Sequence, residues 1–209
     1  MTLLSLAVRG RGLVDAGEPI LHADDQALQR GRAAFETLRV YGGVPFRLDE
    51  HLARLAGSAA RIGLPDVGRE ELEELARLAL AEAGEDECVL RFYWTGGREG
   101  LERATAIAMV SRLPQGYEEL RARGMRLISL QLGLDAALRA SSPWLLGGVK
   151  STSYAVNMAA EAEARRRGAD DAVFVSGTAR CSKGLSRTSG GAKARHSSRR
   201  GSSSASSPA

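Results

Sequence analysis

Between Phe35 and Leu48 apolar and polar residues alternate on both sides of Gly42-Gly43, and no other stretch constrains the fold as much. A period of two predicts one strand over Phe35–Tyr41 and another over Val44–Leu48. The two glycines between them predict a tight hairpin, because such turns need positive φ, which glycine adopts without steric cost. The period then switches. Leu52, Leu55, Ala59 and Ile62 recur at helical spacing behind Asp49, which reads as an N-cap, and Gly63 and Pro65 stop that helix.

A second helix is predicted over Arg69–Ala83, with Leu72, Leu75, Leu78 and Leu80 supplying most of its apolar face. Strands follow at Val89–Trp94 and Thr105–Val110, separated by the glycine-rich turn Gly96–Gly100. Next come a linker, a short helix over Tyr117–Arg123 and a strand over Met125–Leu132. A loop through Gly147-Gly148, a helix over Ser153–Arg167 and an apolar strand over Ala172–Val175 complete the pattern. This order predicts an α+β fold. Residues 1–112 form a first domain, 113–118 a linker, 119–176 the opening of a second domain, and 177–209 a tail.

The tail carries ten serines and seven Lys/Arg among 33 residues, with no acid and with Leu185 as its one large aliphatic residue. Such a composition cannot bury enough apolar area to offset chain entropy, so disorder is expected there. It also accounts for the net charge of +4, since residues 1–176 hold 22 basic and 25 acidic side chains, a net of −3. A nucleic-acid-binding body is therefore not expected. Cys88 and Cys181 alone give neither a disulfide framework nor a metal-ligand spacing, and His22, His51 and His196 do not cluster. The leucines after Met1 run into Arg9 and Arg11, too soon for a signal or a membrane span, so the cytoplasm is the expected location.

The chemistry concentrates around Lys150. A lysine directly after Leu146-Gly147-Gly148-Val149 and just before a helix is expected to be half-buried, and burial favours the uncharged, nucleophilic amine. The run Gly148-Val149-Lys150-Ser151-Thr152-Ser153-Tyr154, with Asn157, Glu161 and Gly168-Ala169-Asp170-Asp171-Ala172 after it, resembles the catalytic segment of class IV (fold type IV) pyridoxal phosphate enzymes. Upstream, Phe35-Glu36-Thr37-Leu38-Arg39-Val40 and His51-Leu52-Ala53-Arg54-Leu55 resemble the same family's N-terminal signature. Two separate segments in the right order carry the likeness, which covers roughly residues 8–176.

The resemblance implies a small N-terminal domain, an incomplete larger C-terminal domain, pyridoxal phosphate as cofactor, a small amino-acid substrate and a homodimer. Lys150 is implied as the Schiff-base lysine and the base that moves the Cα proton. Arg54 is implied as the arginine that grips the cofactor phosphate, a task suited to a guanidinium fork. Tyr154 would contact the cofactor, while Thr37 and Arg98 would face substrate. Glu36 and Arg39 read as strand residues on or near the site wall, and His51 as a structural residue at a helix start.

The family includes 4-amino-4-deoxychorismate lyase and the branched-chain and D-amino-acid aminotransferases. D-amino-acid aminotransferases hold the substrate carboxylate with the arginine of a Thr-Arg-Gly turn, whereas here the turn reads Trp94-Thr95-Gly96-Gly97, with Arg98 beyond it. The likeness favours the lyase, which gives 4-aminobenzoate and pyruvate; transamination is the alternative. An inactive fragment, or a basic-tailed RNA-binding protein, is a further reading.

The family also implies a glutamate and an asparagine after the strand at Ala172–Val175, yet no acid follows Asp171. Codons permitted for Arg180–Gly184, read one frame away, spell Val-Leu-Glu-Gly, and the reading can continue as Pro-Val-Ser-Asn-Ile-Trp-Trp. A frameshift near Ser176-Gly177 is therefore expected, leaving the strand at Ala172–Val175 with an unpaired edge and the chain poor at folding and at holding its cofactor.

Overall fold

The computed structural model describes residues 2–176 and the strand Cys181–Gly184. Its centre is β3 (Ala33–Tyr41), whose side chains alternate between two environments. Ala34, Glu36, Leu38 and Val40 are buried on one face, while Phe35, Thr37 and Arg39 are half-buried on the other. The hairpin at Gly42-Gly43 forms as predicted, with both glycines at positive φ. It returns into β4 (Val44–Pro45), which is shorter than expected. Pro45 has no N–H to extend the ladder, and the chain leaves the sheet at Arg47 with a left-handed φ of 53°. Helix α2 (Leu48–Arg61) thus starts one residue before Asp49, which sits in its first turn and is not the N-cap.

Helix α3 (Arg69–Ala83) matches its predicted span. Strands β5 (Cys88–Thr95) and β6 (Ala106–Arg112) pair antiparallel, and β5 pairs with β3 along its whole length. The sheet is completed by β1 (Leu3–Val8) and β2 (Gly12–Leu13), giving the order β2-β1-β6-β5-β3-β4. Leu52, Leu55, Leu72 and Leu75 of the two helices pack on Leu38, Leu90, Phe92 and Val110 of one sheet face to make the main core. On the opposite face Leu6, Val8 and Ile107 form a smaller cluster with Val14, Ile20, Tyr93 and Met109. Short α1 (Gln26–Arg30) follows Asp25, whose carboxylate caps it through the Ala27 N–H.

After the linker come α4 (Tyr117–Arg123), β7 (Leu127–Gln131) and α5 (Ala136–Ser141). Helix α6 (Ala155–Arg166) and β8 (Asp171–Val175) follow. Strands β7 and β8 run parallel, as the intervening helices require, and Ala160, Ala164 and Ala172 pack beneath Ile128 and Leu130. The expected free edge on β8 is not found. β9 (Cys181–Gly184) lies antiparallel along it, inside the stretch expected to lack order. The rest of that stretch, residues 177–180 and 185–209, lies outside the described residues, and the expected disorder and frame change fall there. The chain is an α+β protein, with two sheets among the described residues.

Candidate active site

The lysine loop reaches the active face through backbone bonds. β4 covers only the far end of β3, so the amides near Ala33 would be left without partners on that edge. The loop fills the gap. Phe35 N–H donates to the Lys150 carbonyl at 3.0 Å, Thr152 N–H donates to the Ala33 carbonyl at 2.9 Å, and Ala34 and Ser151 form an isolated bridge. The Lys150 N–H itself donates to Ser58 Oγ of α2 at 3.2 Å. Thr152 and Ser153 hydroxyls both donate to the Gly31 carbonyl at 3.2 Å. Ser153 is spent on that contact, which is why α6 begins at Ala155 and not at Ser153 as predicted.

Held this way, Lys150 Nζ sits 3.8 Å above the centre of the Phe35 ring and 5.9 Å from that of Tyr154. Phe35 stacks on Tyr93 at 6.0 Å and meets Tyr154 edge-on at 5.4 Å, so Phe35 and Tyr154 form an aromatic corner at the amine, backed by Tyr93. Burial, with the nearby carboxylates of Asp171 and Glu161, pushes the Tyr154 phenol above its ordinary range. Tyr154 is thus a neutral hydroxyl at neutral pH.

Arg54 lies one helical turn before Ser58, on the side of α2 that meets β3. Its Nε and one Nη2 proton fork onto the Glu36 carboxylate at 2.5 and 2.6 Å, and His51 Nδ1 lies 2.9 Å from the same carboxylate. Burial pushes the Glu36 carboxyl up, but the hydrogen bonds and charges of Arg54 and His51 outweigh it and hold it below the ordinary glutamate range. The same bonds hold the Arg54 guanidinium above its ordinary value. Arg54 stays half exposed, and its Nη1 has no hydrogen bond among the described residues. That edge can take an oxyanion. One turn further on, Arg61 Nη1 donates to the Gly147 carbonyl at 2.7 Å and ties α2 to the start of the lysine loop.

Of the residues expected at the site, Lys150 and Tyr154 meet directly, Thr37 shares the sheet face of Phe35, and Arg54 flanks the loop through Ser58. Arg98 stands apart: it forks onto Asp24 at 2.9 Å and bridges the backbone of Asp25, with no bond to the other four. Arg39 packs over Tyr41 at 4.8 Å and Tyr117 at 5.8 Å, so it joins α4 to the first sheet. No sequence motif marks Arg91 or Tyr93 as a site residue. In the antiparallel register Arg91 lies opposite Thr37 and Tyr93 opposite Phe35, which sets both on the lysine's side of the sheet. The signal was present in the alternation of β5, where Arg91 is a half-buried cation between buried neighbours.

The model of the amino-transferase class IV family matches residues 33–188. The chain belongs to that family. A bifunctional aminodeoxychorismate lyase / D-amino acid transaminase of Mycobacterium tuberculosis is 41% identical over 167 residues, covering 78% of this chain and 58% of that protein. Among solved structures, a hypothetical aminotransferase from the same organism, with α-ketoglutarate and PMP bound, superposes with a TM-score of 0.83 at 36% identity. That match covers 87% of this chain and 65% of the other. A fold IV transaminase from Curtobacterium pusillum gives a TM-score of 0.75 at 35% identity, over 83% of this chain and 61% of that one. This class IV chain therefore spans under two thirds of the length of the proteins it matches.

Proposed function

We propose that this class IV chain uses pyridoxal phosphate to act on a small amino-acid substrate, with 4-amino-4-deoxychorismate lyase chemistry as its reaction. The observation that carries the reading is the Lys150 amine, held 3.8 Å above Phe35 on the sheet face that also bears Thr37 and Arg91. The residues fit the cofactor: an amine in an aromatic corner suits a flat aldehyde, and the open Nη1 edge of Arg54 suits its phosphate. When bound, pyridoxal phosphate supplies the electron sink that makes the substrate's α-proton removable.

Lys150 Nζ then serves as the base that takes the proton from the substrate Cα and can return it. Tyr154, protonated at neutral pH, donates a hydrogen bond into the same space. Phe35, 3.8 Å from the amine and backed by Tyr93, covers that side of it against water. Arg91 and Thr37 hold the substrate carboxylate, a guanidinium beside a hydroxyl being suited to two oxygens of one planar group. In the lyase the bond from the substrate's β-carbon to the enolpyruvyl oxygen would break with its electrons on that oxygen. The enolpyruvate so released takes up a proton to become pyruvate, and the ring, left aromatic, is 4-aminobenzoate. In a transaminase Lys150 Nζ would hand on the proton it has taken, and the amino group would pass in the end to a keto acid.

Transamination of D- or branched-chain amino acids is the second reading, and the name of the M. tuberculosis relative, which covers both activities, favours keeping it. The ion pair of Arg98 with Asp24 supports the lyase, because it engages the arginine nearest the turn that would grip a D-amino acid. The same reading carries a homodimer acting in the cytoplasm. No described helix is long and apolar enough to cross a membrane. Incubation with 4-amino-4-deoxychorismate is expected to release pyruvate and 4-aminobenzoate, and Lys150→Ala is expected to abolish that release. Amino transfer from D-alanine to 2-oxoglutarate without lyase products would instead establish the second reading.

A further inference from the structure

Glu36 breaks the apolar pattern of its strand face. Its neighbours there, Ala34, Leu38 and Val40, are all part of the core, and Glu36 is itself 0% exposed. Replacing a buried ion pair with apolar residues of similar volume is often neutral or stabilising, so stability alone does not account for an acid at this place. Its geometry does. The carboxylate takes Nε and Nη2 of Arg54 in a fork and accepts from, or shares a proton with, His51 Nδ1. This uses the Nε–Nη2 edge of the guanidinium and leaves Nη1 outside the fork, on a half-exposed side chain one helical turn from Ser58, whose Oγ accepts from the Lys150 N–H.

We propose that Glu36 is the positioning residue of the anion site, presetting the Arg54 guanidinium so that its Nη1 edge is offered to the phosphate of the cofactor. The inference rests on the reading of Arg54 as the phosphate-gripping residue. A free arginine would have to give up rotamer freedom when the phosphate arrives, and the fork removes that freedom beforehand. Charge alone argues the other way. An anion beside Arg54 lowers the local positive potential, so simple Coulomb reasoning has phosphate binding tighten when Glu36 is neutralised. Positioning and electrostatics thus predict opposite signs for one substitution.

The test compares pyridoxal phosphate with pyridoxal, which lacks the phosphate, by borohydride trapping on Lys150 of the full chain. The concentration for half-labelling is read by mass spectrometry, and folding is checked by circular dichroism. Glu36→Gln is expected to raise the half-labelling concentration about tenfold for pyridoxal phosphate and to leave that for pyridoxal unchanged. Arg54→Ala is expected to do the same, and adding Glu36→Gln to it to do nothing more. Should Glu36→Gln fail to fold, Glu36→Asp, which keeps the charge but draws the carboxylate back from the fork, is expected to show the same selective loss. Tighter or unchanged labelling in a folded Glu36 variant, or equal losses for the two aldehydes, overturns the positioning role. If Arg54→Ala leaves the preference for pyridoxal phosphate intact, or wild type traps neither aldehyde on Lys150, the underlying reading fails first.

Discussion

A carboxylate inside an antiparallel sheet needs donors, and Glu36 finds them on the next helix, in His51 and Arg54. Because its folded pKa is lowered, its contribution to stability is complete above about pH 4.3, the ordinary glutamate value, and is lost as pH falls through the folded value. Arg54→Ala strands that carboxylate. The expected cost at neutral pH is on the order of 2 kcal/mol, below the roughly 3–5 kcal/mol of a fully buried pair because the guanidinium is half exposed. Urea unfolding at about pH 7 and about pH 3 is expected to show the deficit of the variant shrinking in acid. A deficit that does not change with pH would count against the ion pair as its source. The motifs that hold Lys150, Tyr154 and Arg54 were legible in the sequence because they are local, and the roles given to those residues are proposals. The partnership of Glu36 and Arg54 was not, since it spans 18 residues and exists only once α2 folds back on β3.

At the scale of elements, the turn between β5 and β6 is held by a buried centre. The Asp25 carboxylate accepts from Thr95 Oγ1 at 2.9 Å and from the Ala27 amide at 2.8 Å, and the Thr95 hydroxyl in turn accepts from Gly97 N–H. Gly97 has φ of 69°, and a Cβ there would overlap the Arg103 carbonyl. Gly97→Ala is therefore expected to cost at least about 2 kcal/mol, and calorimetry should show a lower Tm. An unchanged Tm would mean that the turn can open without loss. Periodicity was enough for α3 and α4, whose apolar or polar faces meet one environment each. It failed for β1, whose Ser5 bonds the Ala79 carbonyl on the helix side while Leu6 and Val8 pack on the other. A strand buried on both faces has no alternation to read. At β4 the alternation was real, but Pro45 ended the ladder before the pattern ended.

For the whole molecule, the order of motifs gave the family and the α+β class, whereas the partner of β8 was hidden. A Ser- and Arg-rich stretch carries no apolar signal, yet backbone pairing asks only for N–H and C=O groups, and Cys181–Gly184 supplies them. Sequencing the gene across the codons for Ser176 and Gly177 is expected to find a neighbouring frame that encodes Val-Leu-Glu-Gly and the residues after it. Codons unrelated to that reading would remove the frameshift. The stitching of Lys150 to Phe35 also bears on when the site comes into being. The six-stranded sheet draws only on residues up to Arg112, so it can condense while the later chain is still being made. The lysine loop must close a span of more than a hundred residues before its amine meets the aromatic corner, and contacts so distant in sequence are slow to form. During synthesis Lys150 comes to Phe35 and Tyr93 on a sheet that can already be in place, and it brings Tyr154 with it.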